Sequence, residues 1–312
     1  MASKRAIDVV EVGPRDGLQI ESVFIPTEIK IGLINNIAAA GVKHIEATSF
    51  VSPRAVPQLA DAAEVIAGID RSTGVRIQTL VPNARGAERA VASGVDEVML
   101  FVSASDSHNI RNMNRLTMET MAGFPDVVTI ARAAGAGVHG AVATAFGCPF
   151  EGEVTFESLF RVVDHYVDLG VININLGDTT GMATPPIVSR TCEALKKRFP
   201  AIQITLHFHN TRGLGLANVM AGLESGITRY DASLGGMGGC PYAPGASGNI
   251  CTEDLVHLLH EMNFSTGIDL DRLIAAAKGL ETIMGRQLPG QVMKAGPRLT
   301  LHGSEAVGRA VG

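Results

Sequence analysis

The 312-residue sequence has no tryptophan, and only 4% of its residues are aromatic. Charged residues make up 18% of the chain, and the formal net charge is −5. Such a chain lacks both the basic field and the stacking platforms that nucleic-acid binding requires. It also lacks any apolar run near the roughly 18 residues that a membrane span needs. We therefore expect neither a nucleic acid nor a membrane as a partner.

Cysteine is scarce as well, with four residues and no C-x-x-C pair. This number does not build a disulfide framework and fits the reduced thiols of a cytosolic protein. Residues 1–5 lead into a strand-like segment without an apolar signal core or a long presequence, so we expect a cytoplasmic location. Cys148, Cys192 and Cys251 are interpreted as small buried hydrophobic residues.

Apolar residues are abundant, at 46%, and they recur in a regular pattern. Eight β-branched runs start ~32 residues apart, which is about the size of one strand-plus-helix unit. The predicted strands are 7–12, 44–50, 75–81, 97–103, 138–146, 171–176, 203–209 and 229–234. Between them lie helical patterns such as Ile29, Leu33 and Ile37, which ends before Gly41.

Eight such units predict an α/β fold of the (β/α)8 TIM-barrel type. A doubly wound open sheet has the same alternation, but residues 13–17 read GPRDG rather than the G-x-G-x-x-G of its first turn. No linker divides the chain, so we expect one catalytic domain over residues 1–312. Within it, residues 270–312 form a C-terminal extension, with a helix over 270–284 and then a tail.

Polar residues collect at the predicted strand ends. Because a TIM barrel places its chemistry at the carboxyl ends of its strands, these side chains should converge there. The candidates are Arg15, Asp16, Glu46, Asp178, His207, His209, Cys240 and Asn249.

His207 and His209 form the sharpest local signal. Residues i and i+2 of a strand share one face, so both imidazoles should point into the barrel, where each offers a nitrogen lone pair. A hydrogen-bonded pair of core residues is the alternative. Adding Asp16 and the carbonyl of Asn249 gives an oxygen-rich ligand set with open positions, which favours Mg²⁺ or Mn²⁺.

Three further candidates, one arginine and two carboxylates, have two possible roles each. Arg15 beside Asp16 is either a salt-bridged turn or a cation that stabilises a developing oxyanion. Glu46, at the end of a predicted buried strand, either takes part in catalysis or holds Arg15 or a helix terminus in place, and Asp178 has the same two possible roles.

Two loops carry further candidates. Residues 235–239 read GGMGG and lead to Cys240, which is either an inert thiol in a turn or a proton donor carried by a mobile lid. Asn112 and Asn114, with Arg111 and Arg115, follow the fourth strand. They form either a solvated loop or a contact for a nucleotide-bearing ligand.

Several motifs together resemble the 3-hydroxy-3-methylglutaryl-CoA (HMG-CoA) lyase family, from about residue 6 to about residue 290. They are GPRDGLQ at 13–19, IEATSFVSP at 45–53, GCPFEG at 147–152, GDT at 177–179 and GCPYAPGASGN at 239–249. The first and last of these are highly specific.

The resemblance implies a retro-Claisen cleavage of an HMG-CoA-like thioester into acetyl-CoA and a keto acid, acetoacetate in the namesake reaction. In that family the residues matching Asp16, His207, His209 and Asn249 hold the divalent cation. The resemblance implies that Arg15 stabilises the enolate of acetyl-CoA and that Cys240 acts as a proton donor. It makes His207, with Asp16 close by, the candidate base, and it gives Glu46 and Asp178 supporting roles. It also suggests a homodimer and an acyl-CoA thioester as the substrate.

Other positions depart from the family pattern and leave the substrate open. Ala141 and Asn175 stand where the family commonly has Tyr and Ser. Citramalyl-CoA or a 3-hydroxy-3-alkylglutaryl-CoA is therefore an alternative substrate. A Claisen-condensing synthase is an alternative activity, and a non-catalytic acyl-CoA-binding barrel is a more distant one.

Overall fold

The computed structural model describes residues 4–239 and 248–301. Its eight strands are all parallel and hydrogen-bond in chain order, and β8 pairs back onto β1 to close the barrel. The strands are β1 (Asp8–Glu11), β2 (His44–Ser49), β3 (Arg76–Leu80), β4 (Glu97–Ser103), β5 (Gly137–Ala143), β6 (Asn173–Asp178), β7 (Gln203–Phe208) and β8 (Arg229–Ala232). The predicted TIM barrel is confirmed.

Helices alternate with the strands along the chain and cover the barrel. They are α1 (Thr27–Ala39), α2 (Ala62–Gly68), α3 (Ala84–Ala92), α4 (Asp106–Met113), α5 (Thr117–Met121), α6 (Phe124–Ala133), α7 (Phe156–Asp168), α8 (Pro185–Arg198), α9 (Gly215–Glu224), α10 (Thr252–Glu261), α11 (Leu270–Met284) and α12 (Val292–Ala295). The helix expected over residues 270–284 is confirmed as α11.

Side-chain caps fix where several helices begin. Asn83 accepts a hydrogen bond from the Gly86 N–H, and Thr155 accepts one from the Ser158 N–H. Each cap satisfies a backbone donor that the first helical turn leaves unpaired. Among the described residues, no helix combines the length and apolar character needed to cross a membrane.

Strand alternation separates an apolar layer from a polar barrel interior. In β4, Val98, Leu100 and Val102 are fully buried members of the hydrophobic core. Glu97, of opposite parity, lies 3.2 Å from His139 of β5 and 2.9 Å from Arg76 of β3. These contacts lie toward the amino ends of the strands. The predicted site residues lie at the opposite, carboxyl ends.

Candidate active site

The turn that follows β1 carries Arg15 and Asp16. It is a single π-helical turn, Gly13–Gly17, to which the buried carboxyl group of Glu11 is hydrogen-bonded. Oε1 of Glu11 accepts hydrogen bonds from the backbone N–H groups of Gly13 at 2.7 Å and Leu234 at 2.8 Å. A Cβ atom on Gly13 would lie 2.5 Å from that oxygen, so glycine is needed for this approach.

Arg15 is fixed between two carboxylates. Its Nε donates to Oε2 of Glu46 at 2.7 Å, and its Nη1 donates to Oδ1 of Asp16 at 2.7 Å. Nη2 lies 2.5 Å from the same Oε2 of Glu46. Arg15 therefore does form the salt bridge with Asp16 that one of its two interpretations predicted. It does not exclude the functional one, because three contacts leave other N–H groups of the guanidinium available.

Asp16, His207 and His209 form one cluster. Each offers a ligand atom, and these atoms lie within 4.8 Å of one another. Nε2 of His209 is 3.9 Å from Oδ2 of Asp16. Both histidines come from the end of β7, where their rings face the same side with centroids 5.2 Å apart. The structure therefore brings together three of the four predicted metal ligands as a group that could hold an ion.

Asn249 lies beside this group. Its Nδ2 donates to Oδ2 of Asp16 at 2.7 Å and to the carbonyl of Met237 at 3.0 Å. Its Oδ1 is buried and has no hydrogen-bond partner among residues 4–239 and 248–301. A buried carbonyl oxygen without a partner is costly, and a cation would satisfy it. Asn249 therefore fits the fourth ligand position.

Electrostatics prepare the cluster for a cation. Burial would raise the pKa of Asp16, but the Arg15 guanidinium, with smaller contributions from His207 and the hydrogen bond of Asn249, outweighs it and holds that pKa below its ordinary value. Burial lowers the pKa of His209 to about 4, so its ring is neutral near pH 7. An ionised carboxylate and a neutral imidazole are the forms that bind divalent ions.

Asp178 ends β6 close to His207. Its Oδ1 accepts hydrogen bonds from the backbone N–H groups of Met182 at 2.7 Å and Ala183 at 3.0 Å. Its Oδ2 is buried, with no hydrogen-bond partner in the part of the chain that the structure describes. Burial raises the pKa of this carboxyl to about 6. Asp178 can therefore exchange a proton near neutral pH.

Sequence reasoning missed one carboxylate of the site, Asp231. It lies on β8 beside His207, with Oδ2 3.4 Å from Nδ1 of that ring, and Nδ2 of Asn175 donates to the same oxygen. The signal was available: Asp231 alternates with the buried Tyr230 and Ala232, as an inward-facing residue should.

The remaining candidates lie apart from this cluster or outside the described residues. Asn112 is exposed in the last turn of α4, and Asn114 follows that helix in a left-handed conformation, with φ of 54°. The structure gives neither a contact with the cluster. Cys240 lies outside the described residues. Gly238, two residues earlier, approaches the cluster so closely that a Cβ there would lie 2.6 Å from Nδ2 of Asn249.

The closed parallel barrel and its Asp–His–His cluster define the protein as a TIM barrel with a candidate divalent-metal site at the carboxyl ends of the strands. Comparison with known proteins identifies the family. The HMGL-like family model matches residues 6–279, and the chain belongs to that family. This confirms the resemblance and the expected enzyme class, a carbon–carbon lyase.

Individual relatives agree with this family assignment. The chain is 46% identical to hydroxymethylglutaryl-CoA lyase YngG of Bacillus subtilis, over 93% of this chain and 97% of the relative. It is 44% identical to (R)-citramalyl-CoA lyase of Chloroflexus aurantiacus, over 94% and 95%. An HMG-CoA lyase from Acinetobacter baumannii, solved in complex with coenzyme A and 3-methylmalate, superposes with a TM-score of 0.91 at 49% identity, covering 96% of this chain and 97% of that one.

Proposed function

We propose that this protein cleaves HMG-CoA, or a close 3-hydroxyacyl-CoA, into acetyl-CoA and a keto acid, which is acetoacetate for HMG-CoA. The observation that carries the proposal is the convergence of three ligand atoms, one each from Asp16, His207 and His209, within 4.8 Å of one another. Arg15 lies beside them, hydrogen-bonded to Asp16. A retro-Claisen cleavage needs a group that acidifies a tertiary hydroxyl and a cation for the enolate, and this arrangement offers both.

Asp16, His207, His209 and Asn249 are proposed to hold the ion. One carboxylate, one amide oxygen and two imidazoles suit Mg²⁺ or Mn²⁺. When bound, such an ion supplies Lewis acidity that lowers the pKa of a coordinated hydroxyl group.

Arg15 is proposed to stabilise the enolate oxygen of the departing acetyl-CoA. Glu46 and Asp16 hold its guanidinium in one orientation, so little reorganisation is needed as negative charge develops. Glu46 is proposed to act through Arg15, because its Oε2 receives both the Nε hydrogen bond and the Nη2 contact.

His207 is proposed to bind the ion, and it is also the candidate acceptor of the hydroxyl proton. Either role would use the lone pair of Nε2, because Nδ1 faces Asp231. One lone pair does not hold the ion and the proton at the same time, so the two roles exclude each other at any one moment. Burial alone would lower the pKa of His207, but the neighbouring carboxylates of Asp231 and Asp16 outweigh it and raise that pKa. Asp178, with its pKa of about 6, is proposed to support this transfer. Cys240 is proposed to return a proton to the acetyl carbanion.

Other parts of the assignment rest on relatives and on sequence. The complex of the A. baumannii relative with coenzyme A supports an acyl-CoA ligand here, and we propose Asn112 and Asn114 as contacts for it. A homodimer, a single catalytic domain over residues 1–312 and a cytoplasmic location also belong to the proposal. The curated relatives include both cytoplasmic and mitochondrial forms.

A panel of thioesters tests the substrate. Purified protein with Mg²⁺ is expected to release acetyl-CoA and acetoacetate from HMG-CoA. The C. aurantiacus relative makes citramalyl-CoA the second candidate, which would give acetyl-CoA and pyruvate. Net condensation of acetyl-CoA with a keto acid, without cleavage, would indicate a synthase. If the protein with bound metal releases acetyl-CoA from no thioester, the non-catalytic barrel is favoured.

A further inference from the structure

Asp231 occupies a special position inside the barrel. In the β7–β8 ladder it is the direct partner of His207, and in the β1–β8 ladder it is the partner of Val10. Its side chain is only 6% exposed, so its carboxylate must find partners within the protein.

Two side chains meet this carboxylate from different strands. Nδ1 of His207 lies 3.4 Å from Oδ2 of Asp231, and Nδ2 of Asn175 donates a hydrogen bond to the same oxygen. Asn175 belongs to β6, which is separated from β8 by β7. The contact between Asn175 and Asp231 therefore joins two strands that are not neighbours, across the barrel interior.

The donor and acceptor pattern of these groups has a direct consequence for the imidazole. An ionised carboxylate only accepts hydrogen bonds, so the ring nitrogen that faces it is favoured as the protonated one. A neutral imidazole carries one proton, and placing it on Nδ1 leaves the lone pair on Nε2. Carboxylates set histidine ligands in this way in many metal sites.

We propose that Asp231, held in place by Asn175, is a positioning residue that fixes His207 in the Nδ1–H tautomer, so that Nε2 presents its lone pair to the site. The inference rests on the proposed function, since His207 needs that lone pair either to bind the ion or to accept a proton.

The contact with Asn175 makes two substitutions informative, because one oxygen, Oδ2 of Asp231, meets both Asn175 and His207. In Asp231→Asn, the Nδ2 donor of Asn175 keeps the oxygen of the new amide at this place, so the Nδ1–H of His207 keeps an acceptor. In the swapped pair Asn175→Asp/Asp231→Asn, the carboxylate at position 175 draws the NH₂ group of the amide to this place instead. Nδ1 would then have to accept, and the ring proton would move to Nε2. A wrong tautomer of this kind is known to disable a catalytic histidine.

The test measures the tautomer and the metal affinity separately. ¹⁵N NMR of histidine-labelled, metal-free protein reports which nitrogen of neutral His207 is protonated, with His207→Gln for assignment. Electron paramagnetic resonance of Mn²⁺ reports affinity. We expect Nδ1–H in the wild type. In Asp231→Asn we expect Nδ1–H, and in the swapped pair we expect Nε2–H and an affinity about 10- to 100-fold weaker.

The single variant Asp231→Asn tests the role of Asn175. It differs from the swapped pair only in carrying a donor amide rather than an acceptor carboxylate at position 175. We expect it to keep the Nδ1–H tautomer and most of the Mn²⁺ affinity. The matched control is Asp8→Asn. This is the same substitution at a carboxylate that pairs with Arg229 of β8 at the other end of the barrel, and it should change neither measurement.

The outcomes separate this inference from the proposed function. A wild-type tautomer in the swapped pair, or an Mn²⁺ affinity of that pair within about threefold of wild type, overturns the inference. An Nε2–H tautomer in Asp231→Asn overturns the role of Asn175. A wild-type protein that binds no Mn²⁺ overturns the proposed metal site, while the NMR measurement still decides the tautomer. If the swapped pair does not fold, Asp231→Ala replaces it: a mixture of tautomers supports the inference, and unchanged Nδ1–H contradicts it.

Discussion

Arg15 and Glu46 form a partly buried ion pair that joins the turn after β1 to β2, with Nε 2.7 Å and Nη2 2.5 Å from Oε2 of the carboxylate. The side chain of Glu46 is 1% exposed, whereas that of Arg15 is 12% exposed. Glu46 therefore lies behind the guanidinium, and the arginine is the member of the pair that can meet a substrate. In this geometry Arg15 is the residue that would contact the substrate, and Glu46 is the residue that orients Arg15.

The substitution Glu46→Gln tests this separation. The amide cannot neutralise the guanidinium, so Arg15 should lose its fixed orientation and part of its pairing. We expect kcat to fall by about 10- to 100-fold and the free energy of unfolding to fall by about 1–3 kcal/mol. Steady-state kinetics and urea unfolding measure the two effects. Glu64→Gln, on the exposed face of α2, is the control, and equal activity of the two variants would contradict the role of Glu46.

The substitution Asp16→Asn tests the metal ligand set. It keeps the size of the side chain but removes the anionic oxygen that faces Asn249 and His209. We expect metal affinity to fall by at least about tenfold, measured as metal content after dialysis against a series of Mn²⁺ concentrations. Asp126→Asn, at an exposed position in α6, should retain the metal. Full occupancy in Asp16→Asn would show that the ion binds elsewhere.

Glu253 gives a prediction about pH. Burial raises the pKa of its carboxyl to about 8, and its Oε1 has no hydrogen-bond partner within the described ranges of the chain. The pKa of an unfolded glutamate is about 4.3, so the folded state holds this proton more tightly. The resulting stabilisation is complete below the unfolded pKa and is lost as the pH rises through about 8.

The variant Glu253→Gln cannot ionise and should escape this loss. Between pH 5 and pH 8, we expect the wild type to lose about 2–4 kcal/mol more unfolding free energy than the variant. Urea titrations at both pH values measure the difference. Glu88→Gln, exposed on α3, should follow the wild type. Parallel pH curves for wild type and Glu253→Gln would mean that Glu253 is ionised in the folded protein.

Glu11 is predicted to hold the catalytic turn. Its carboxylate accepts from Gly13 and Leu234 through Oε1 and from Thr252 through Oε2, at 2.6 Å for the last contact. In Glu11→Gln the NH₂ group must face one of these donors. We expect about 1–3 kcal/mol less unfolding free energy together with weaker Mn²⁺ binding, since Asp16 lies in the turn. Wild-type values in both assays would contradict this role.

Periodicity was sufficient to predict the fold. The β-branched runs predicted all eight strands, and the observed β4 has the predicted bounds, Glu97–Ser103. The last strand ends at Ala232 rather than at residue 234, because Leu234–Gly236 turns into a 3₁₀ helix with Gly235 at φ of 65°. Strand ends are hard to predict because the residues after them form turns whose partners come from distant parts of the chain.

The site was predictable only in part, for a related reason. Strand parity alone placed His207 and His209 on one face, and the structure shows that they share it. The partnership of Asp231 with Asn175 involves strands 56 residues apart along the chain, and local pattern carries no information about it. The π-helical form of residues 13–17 likewise depends on Glu11, whose contacts with Leu234 after β8 and with Thr252 at the start of α10 tie the turn to distant parts of the chain.

The dependence of carbon–carbon cleavage on the metal cluster is tested most directly by acetyl-CoA release from HMG-CoA. Protein stripped with a chelator and dialysed should release none, and adding Mg²⁺ or Mn²⁺ should restore the rate in the wild type. In Asp16→Asn, restoration should fail at ion concentrations that saturate the wild type. Undiminished acetyl-CoA release by the stripped protein would contradict a metal-dependent mechanism at Asp16, His207 and His209.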